Sequence, residues 1–315
     1  MRITLLAGGV GGARFLRGVR AAAPEAQVTV IGNTGDDITL FGLHVSPDLD
    51  TVMYTLGGGI SEDRGWGRDD ESYTVQSELA AYGAGPDWFT LGDRDFATHI
   101  VRTAMLKAGL PLSAATRQLC ERWQPGVTLL PMTDDDVQTQ VLIDDDAGRR
   151  TVHFQEWWVR LHAKVPALQF TAAGAERATP ANGVLDAIAE ADFVLLPPSN
   201  PVVSIGIILT IPGIADAVAA KTVVGVSPVI GGAPVRGMAD ACLTAIGVKT
   251  SAAAVAAFYG ARLLDGWLVD TADAEATEAP ELEGIAVRAV PLYMTDLTAT
   301  AAMATAAIEL AAELT

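Results

Sequence analysis

The chain is short of several residue types, and each shortage closes a class of reading. Two cysteines, Cys120 and Cys242, lie far apart with no CxxC pair, so neither a disulfide framework nor a zinc knuckle is expected. Both read as buried small hydrophobes. Only 21 Lys and Arg stand against 38 Asp and Glu, and the formal net charge of −17 repels a polyanion. No nucleic-acid partner is expected. There is no run of about 18 uninterrupted apolar residues, and the apolar start at Met1–Leu6 meets a glycine cluster without a signal-peptide cleavage site. The reading is therefore cytoplasmic, with no membrane partner. A G-x-S-x-G serine elbow, an HExxH helix and a cysteine-nucleophile context are all missing, so hydrolases of those types recede.

What is present is a globular chain of 315 residues, 50% hydrophobic, long enough for one large domain or two ordinary ones. Residues 2–7 form an apolar run, Gly8-Gly9-Val10-Gly11-Gly12 a turn, Ala13–Ala23 a helical pattern ended by Pro24, and Gln27–Gly32 a second β-branched run. That order, strand, turn, helix, strand, is a βαβ unit and predicts a Rossmann-like, doubly wound α/β fold with a mainly parallel sheet. From about residue 60 the texture changes to charge, Gly and Trp, followed by helical segments at 73–82, 94–108 and 113–122. Short strands follow at Val127–Pro131, Thr139–Ile143 and Arg150–Phe154. We read residues 61–165 as an inserted, mainly helical, acceptor-binding region, and 1–60 with 166–315 as the nucleotide-binding core. The sheet pattern resumes with strands at Phe193–Leu196, Thr222–Val226, Gly266–Val269 and Val287–Leu292, and closes on a helix from about Asp296 to Leu314.

The glycine cluster favours a phosphate, because backbone N–H groups and a helix N-terminus are approachable where no Cβ intervenes. Arg14 replaces the third glycine of a dinucleotide fingerprint and the Walker pattern is absent, so a tight strand–helix turn is the competing reading. Past the second strand, Asn33-Thr34-Gly35-Asp36-Asp37 and then Asp48 and Asp50 supply carboxylates. These could converge on Mg²⁺ or merely cap turns and the helix beginning near Thr51. In Leu91-Gly92-Asp93-Arg94-Asp95, Arg94 offers a planar fork to a ligand oxygen, whereas Asp93 and Asp95 suit a helix start. His99 alone reads as a satisfied structural histidine, and Trp157-Trp158 as core or as an aromatic slab.

Taken jointly, the glycine cluster, Asn33–Asp37, Pro47-Asp48-Leu49-Asp50-Thr51, Leu91–Asp95, Pro198-Ser199-Asn200-Pro201 with Ser204-Ile205-Gly206, and Ser227-Pro228 with Gly231-Gly232 resemble one family end to end. It is the 2-phospho-L-lactate transferase or phosphoenolpyruvate transferase family of coenzyme F420 biosynthesis. Arg64-Gly65-Trp66-Gly67, His153–Trp158 and Arg236–Asp240 resemble its actinobacterial branch, and Ile207 departs from the proline expected after Ser-Ile-Gly. The resemblance implies transfer of a phosphoenolpyruvyl or 2-phospho-L-lactyl group from a guanosine diphosphate-linked donor to 7,8-didemethyl-8-hydroxy-5-deazariboflavin, with release of GMP. It implies Mg²⁺ held by Asp36, Asp48 and Asp50, with Asp50 and Arg94 as catalytic, acceptor-binding residues. Gly9, Gly11 and Gly12 are implied at the donor phosphates, Ser199, Asn200 and Ser227 around the guanosine half, and a homodimer as the assembly. Two alternatives stand beside it: a nucleotide-sensing regulatory protein of the same fold, and an NAD(P)-dependent oxidoreductase suggested by the glycine loop alone.

Overall fold

The computed structural model describes all 315 residues, Met1 to Thr315. In chain order the strands are β1 (Arg2–Ala7), β2 (Gln27–Gly32), β3 (Ile38–Leu40), β4 (Leu43–Val45), β5 (Thr128–Pro131), β6 (Gln138–Asp145), β7 (Gly148–His153), β8 (Ala167–Ala173), β9 (Phe193–Leu196), β10 (Val223–Val226), β11 (Val229–Ile230), β12 (Ala233–Pro234), β13 (Gly266–Val269) and β14 (Ala286–Ala289). Seven of them form the central sheet in the order β14-β13-β10-β9-β1-β2-β5. Every neighbouring pair is parallel. A parallel sheet is covered on both faces, which is why these strands are continuous apolar runs without polar alternation. Leu6, Ile31, Val194 and Leu196 enter one core and Leu5, Val30, Phe193 and Leu195 the other, as the two-residue period of a strand requires. The doubly wound α/β expectation holds.

Five helices matter for the site: α1 (Gly9–Ala22), α2 (Pro47–Leu56), α3 (Thr74–Ala81), α4 (Asp93–Lys107) and α5 (Leu112–Trp123). The C-terminal helix, Leu297–Leu314, is the one helix long and apolar enough to cross a membrane. Its Met303, Ala307 and Leu310 are core residues, and it packs against α1 so closely that a Cβ on Gly18 would lie 2.4 Å from the Thr300 carbonyl oxygen.

Residues 61–165 do not form one mainly helical body. The α-helices of this stretch end at Trp123, and β5 then pairs in register with β2, Thr29 opposite Thr128 and Gly32 opposite Pro131, as the edge strand of the central sheet. Its apolar pattern marks a strand but does not say which sheet takes it. The next strands build a separate antiparallel sheet in the order β7-β6-β8. Of these, β8 begins at Ala167, outside the expected insertion, and was not predicted, because ALQFTAA carries little alternation and leaves most side chains only half-buried. Trp157 is fully buried and its indole N–H donates to the Val165 carbonyl at 2.7 Å, so the aromatic pair is core at Trp157 and exposed at Trp158. Ile207 sits buried in a helical segment, Gly206–Thr210, that accommodates it without a turn.

Candidate active site

The strand order reverses between β1 and β9, and ligands of open α/β sheets bind outside the carboxyl ends of strands at such a point. Here β1 runs directly into Gly8 and Gly9, the latter at φ +66°, a conformation open to glycine. No side chain caps α1 from its own N-cap position; instead the Gly9 N–H donates to Asp48 Oδ1 at 2.8 Å, and the helix dipole favours that carboxylate. Asn33 completes the clamp: its Nδ2 donates to Asp48 Oδ2 at 2.9 Å while its Oδ1 accepts from the Gly35 N–H at 3.0 Å. Ser199, on the loop leaving β9, donates to the Gly8 carbonyl at 2.7 Å and accepts from the Gly8 N–H at 3.3 Å, stitching the two strand ends together.

Two of the three glycines expected at donor phosphates are needed for packing. A Cβ on Gly11 would lie 2.4 Å from the Pro198 carbonyl oxygen, and one on Gly12 2.6 Å from Ser199 Oγ. What α1 still offers a ligand is the backbone N–H groups of its first turn beyond Gly9. Asn200 and Ser227 are likewise engaged locally. Asn200 Oδ1 accepts from the Val202 and Val203 N–H groups at 2.9 and 3.2 Å, and Ser227 Oγ bridges the Val229 carbonyl and N–H at 2.7 and 3.1 Å. Both lie at carboxyl ends of central strands, with their polar atoms turned into the chain.

Three carboxylates are buried together past β2. Asp37 Oδ2 accepts from Ser46 Oγ at 2.7 Å and from His44 Nε2 at 2.8 Å, with burial raising its pKa against those bonds. Asp36 is held well above the ordinary carboxylate range, first by burial and then by the charge of Asp48. Its Oδ1 has no partner. Asp48 is also raised by burial, opposed by the bonds from Asn33 and Gly9. No three His, Cys, Asp or Glu side chains converge as a cation cage.

Asp50 belongs to a different constellation. Two positions along a helix differ by about 200° around its axis, so α2 aims Asp48 at α1 and Asp50 at α4. The Asp50 carboxylate is gripped bidentately by Arg102: Oδ2 accepts from Nη1 at 3.0 Å and Oδ1 accepts from Nη2. Arg102 is almost fully buried and its Nη1 also contacts His99 Nδ1 at 3.3 Å. Asp95 Oδ1 accepts from the Tyr54 hydroxyl at 2.8 Å, and burial followed by the Asp50 charge pushes its carboxyl up to about 7. Burial carries His99 the other way, down to about 4, against the pull of Asp50. Asp50, Tyr54, Asp95 and His99 line a pocket of about 50 Å³ together with Trp66 and Phe89.

The structure therefore brings Asp36 and Asp48 together on one side of α2 and turns Asp50 to the other, toward Arg102. Arg94 is not on the Asp50 wall. It faces the surface, where Nη2 donates to Asp70 Oδ2 at 2.7 Å and Nη1 to the Asp69 carbonyl at 3.1 Å. Residues that sequence reasoning left out are Asn33, Tyr54, Asp95, His99 and Arg102. The last three stand at i, i+4 and i+7 on α4, one face of a helix, and that spacing was the available signal.

The chain is a doubly wound α/β protein with a polar crevice at its switch point and a pocket of carboxylate, imidazole and aromatic groups beside it. The family model for 2-phospho-L-lactate transferase CofD matches residues 3–308. The chain is 68% identical to a phosphoenolpyruvate transferase of Thermobifida fusca, over 100% of this chain and 99% of the relative. It is 65% identical to one of Streptomyces coelicolor, over 99% of each. A phosphoenolpyruvate transferase of Mycolicibacterium smegmatis is 55% identical, again over 99% of each. A solved member of the UPF0052 family from Bacillus halodurans shares the fold at TM-score 0.63 and 16% identity, covering 98% of this chain and 100% of that one. The chain belongs to the 2-phospho-L-lactate transferase CofD family and is a transferase of coenzyme F420 biosynthesis.

Proposed function

We propose that the chain transfers a phosphoenolpyruvyl group from a guanosine diphosphate-linked donor to the terminal ribityl hydroxyl of 7,8-didemethyl-8-hydroxy-5-deazariboflavin, releasing GMP and forming the dehydro form of coenzyme F420-0. One observation carries this reading. A single turn of α2 presents Asp48 to the helix-terminus crevice and Asp50 to the adjacent pocket, so an anionic donor and a hydroxyl acceptor can meet across it. The enolpyruvyl choice is supported by the names of the relatives, all phosphoenolpyruvate transferases. The lactyl donor is the alternative within the family.

In this mechanism the acceptor hydroxyl oxygen attacks the phosphorus nearer the enolpyruvyl group, a P–O bond forms, and the P–O bond to GMP breaks. Phosphoryl transfer of this kind is mainly positioning and charge stabilisation. Asp50, pinned by Arg102, keeps a free lone pair on each oxygen, so it orients the hydroxyl and accepts its proton as bonding proceeds. The first-turn N–H groups of α1 face the donor phosphates with the dipole in their favour. Asn33 and the Gly9 N–H hold Asp48 in place.

Mg²⁺ fits Asp36 and Asp48: the donors are oxygens, Asp36 Oδ1 is buried without a partner, and the charge of Asp48 raises the cost of ionising Asp36. Two carboxylates plus substrate phosphate oxygens are an ordinary set for that ion. When bound, it would offset the negative charge of the diphosphate. We place the protein in the cytoplasm as a homodimer, following the family resemblance. Membership of a transferase family takes the ground from the oxidoreductase reading, and a pocket-lining Asp50 has no task in a sensor.

The test is a mass-resolved assay of the deazaflavin with Mg²⁺ and each donor in parallel, alongside Asp50→Ala. The expected product, from the enolpyruvyl donor, is lighter by two hydrogens than the lactyl one, and the variant forms little of either. Product from the lactyl donor alone would overturn the donor assignment, and product from neither would overturn the catalytic reading.

A further inference from the structure

His99 is buried on α4, its ring lines the Asp50 pocket, and its Nε2 has no hydrogen-bond partner. Which ring nitrogen carries the proton follows from Arg102. A guanidinium can only donate, so the Arg102 Nη1 contact at 3.3 Å makes His99 Nδ1 an acceptor, and a neutral ring must then be protonated at Nε2. Asp50 is 3.7 Å from Nδ1, too far to accept a hydrogen bond from it. The Nε2–H is thus a buried donor on a ring that lines the pocket, and a buried donor left unpaired is costly. The carboxylate facing it is Asp95, with Oδ1 at 4.0 Å, again beyond hydrogen-bond reach. An oxygen about 2.9 Å from each would accept from His99 and donate to Asp95. A hydroxyl does both, whereas a carbonyl oxygen could serve only the imidazole.

We propose that His99 reads a hydroxyl of the acceptor's polyol side chain, the one on the carbon next to the reacting terminus, by donating from Nε2 while Asp95 Oδ1 accepts that hydroxyl's proton. Arg102 acts as a positioning residue that holds His99 in the donating tautomer. The inference rests on the acceptor reading above: Asp50 meets the terminal hydroxyl, and the neighbouring His99–Asp95 pair meets the next one along.

The experiment is a calorimetric titration, without donor, of the deazaflavin and of its analogue lacking that one hydroxyl, into the wild-type chain, His99→Phe and His99→Gln. The wild type is expected to bind the analogue at least about tenfold more weakly, since two buried hydrogen bonds are lost with the one hydroxyl. His99→Phe, which leaves the hydroxyl only its bond to Asp95, should discriminate several-fold less between the two ligands, and His99→Gln, whose amide can donate, should regain part of the lost preference. A His99→Phe preference undiminished from the wild type, or no preference in the wild type, overturns the proposal alone. No binding of either ligand by the wild type overturns the acceptor reading and this inference with it. An independent arm needs no variant at all: ¹⁵N NMR of the wild-type histidines should show His99 protonated at Nε2. A wild-type His99 protonated at Nδ1 overturns the assignment.

Discussion

Replacing Arg102 by Met should be among the most destabilising single changes in this chain. The side chain is 1% exposed and Asp50 4% exposed, so neither charge has water as an alternative partner. Removing the guanidinium leaves a carboxylate buried without its bidentate donor, which costs about 3–5 kcal/mol where such pairs have been broken. It also strips the contact to His99 Nδ1, worth about 1 kcal/mol more. A domain of ordinary stability holds only about 5–15 kcal/mol in total, so the variant should unfold at a markedly lower urea midpoint with an unchanged slope. The double variant Asp50→Asn with Arg102→Met removes the buried charge as well and should recover at least about 2 kcal/mol of the loss. Equilibrium urea unfolding of the four proteins gives the full cycle. Two outcomes would refute the reasoning: a single-variant loss under about 1 kcal/mol, the behaviour of an exposed pair, or a double variant that loses the sum of the two singles.

Asp95→Asn should change how stability depends on pH. The Asp95 carboxyl is raised to about 7 in the folded chain, so its contribution is present below the ordinary carboxylate range and is lost as pH rises through about 7. Relative to Asp95→Asn, the wild type should therefore lose Tm between about pH 5 and pH 8; a constant difference would count against the burial argument. Gly18→Ala forces a Cβ to within 2.4 Å of a backbone oxygen of the C-terminal helix, and overpacking of that kind costs about 1–3 kcal/mol in a denaturant titration. A neutral result would mean the two helices part freely. Arg94→Ala breaks a pair whose partners are 47% and 83% exposed, so Tm should scarcely move. Calorimetry then decides the expected acceptor role of Arg94: weaker deazaflavin binding supports it, and unchanged affinity removes it.

Much of the fold was legible because its signals are local. A β-branched run, a glycine turn and a helical stretch closed by Pro24 define β1, α1 and β2 without reference to anything distant. Pairing is different. Thr128–Pro131 announces a strand, but its partner β2 lies about a hundred residues earlier, and nothing in four residues distinguishes the edge of the central sheet from a sheet of its own. The same limit applied to His99. A lone histidine on a helix carries no sign that Arg102, one turn on, will be turned by Asp50 of another helix into a donor that sets its tautomer.

Asp48 and Asp50 bring the local and the distant together. The sequence places two acids two residues apart, and proximity in the chain suggests one shared ion. Helical geometry sends them to opposite sides of α2: Asp48 to a helix terminus and Asn33, Asp50 to Arg102. Had the segment been a strand, side chains two apart would share a face and a single acidic site would follow. As a helix it becomes a divider between the crevice at the N-terminus of α1 and the pocket lined by Asp50 and His99. The pair of chemistries a group-transfer enzyme must hold side by side then rests on the secondary structure of Pro47–Leu56 as much as on the carboxylates themselves.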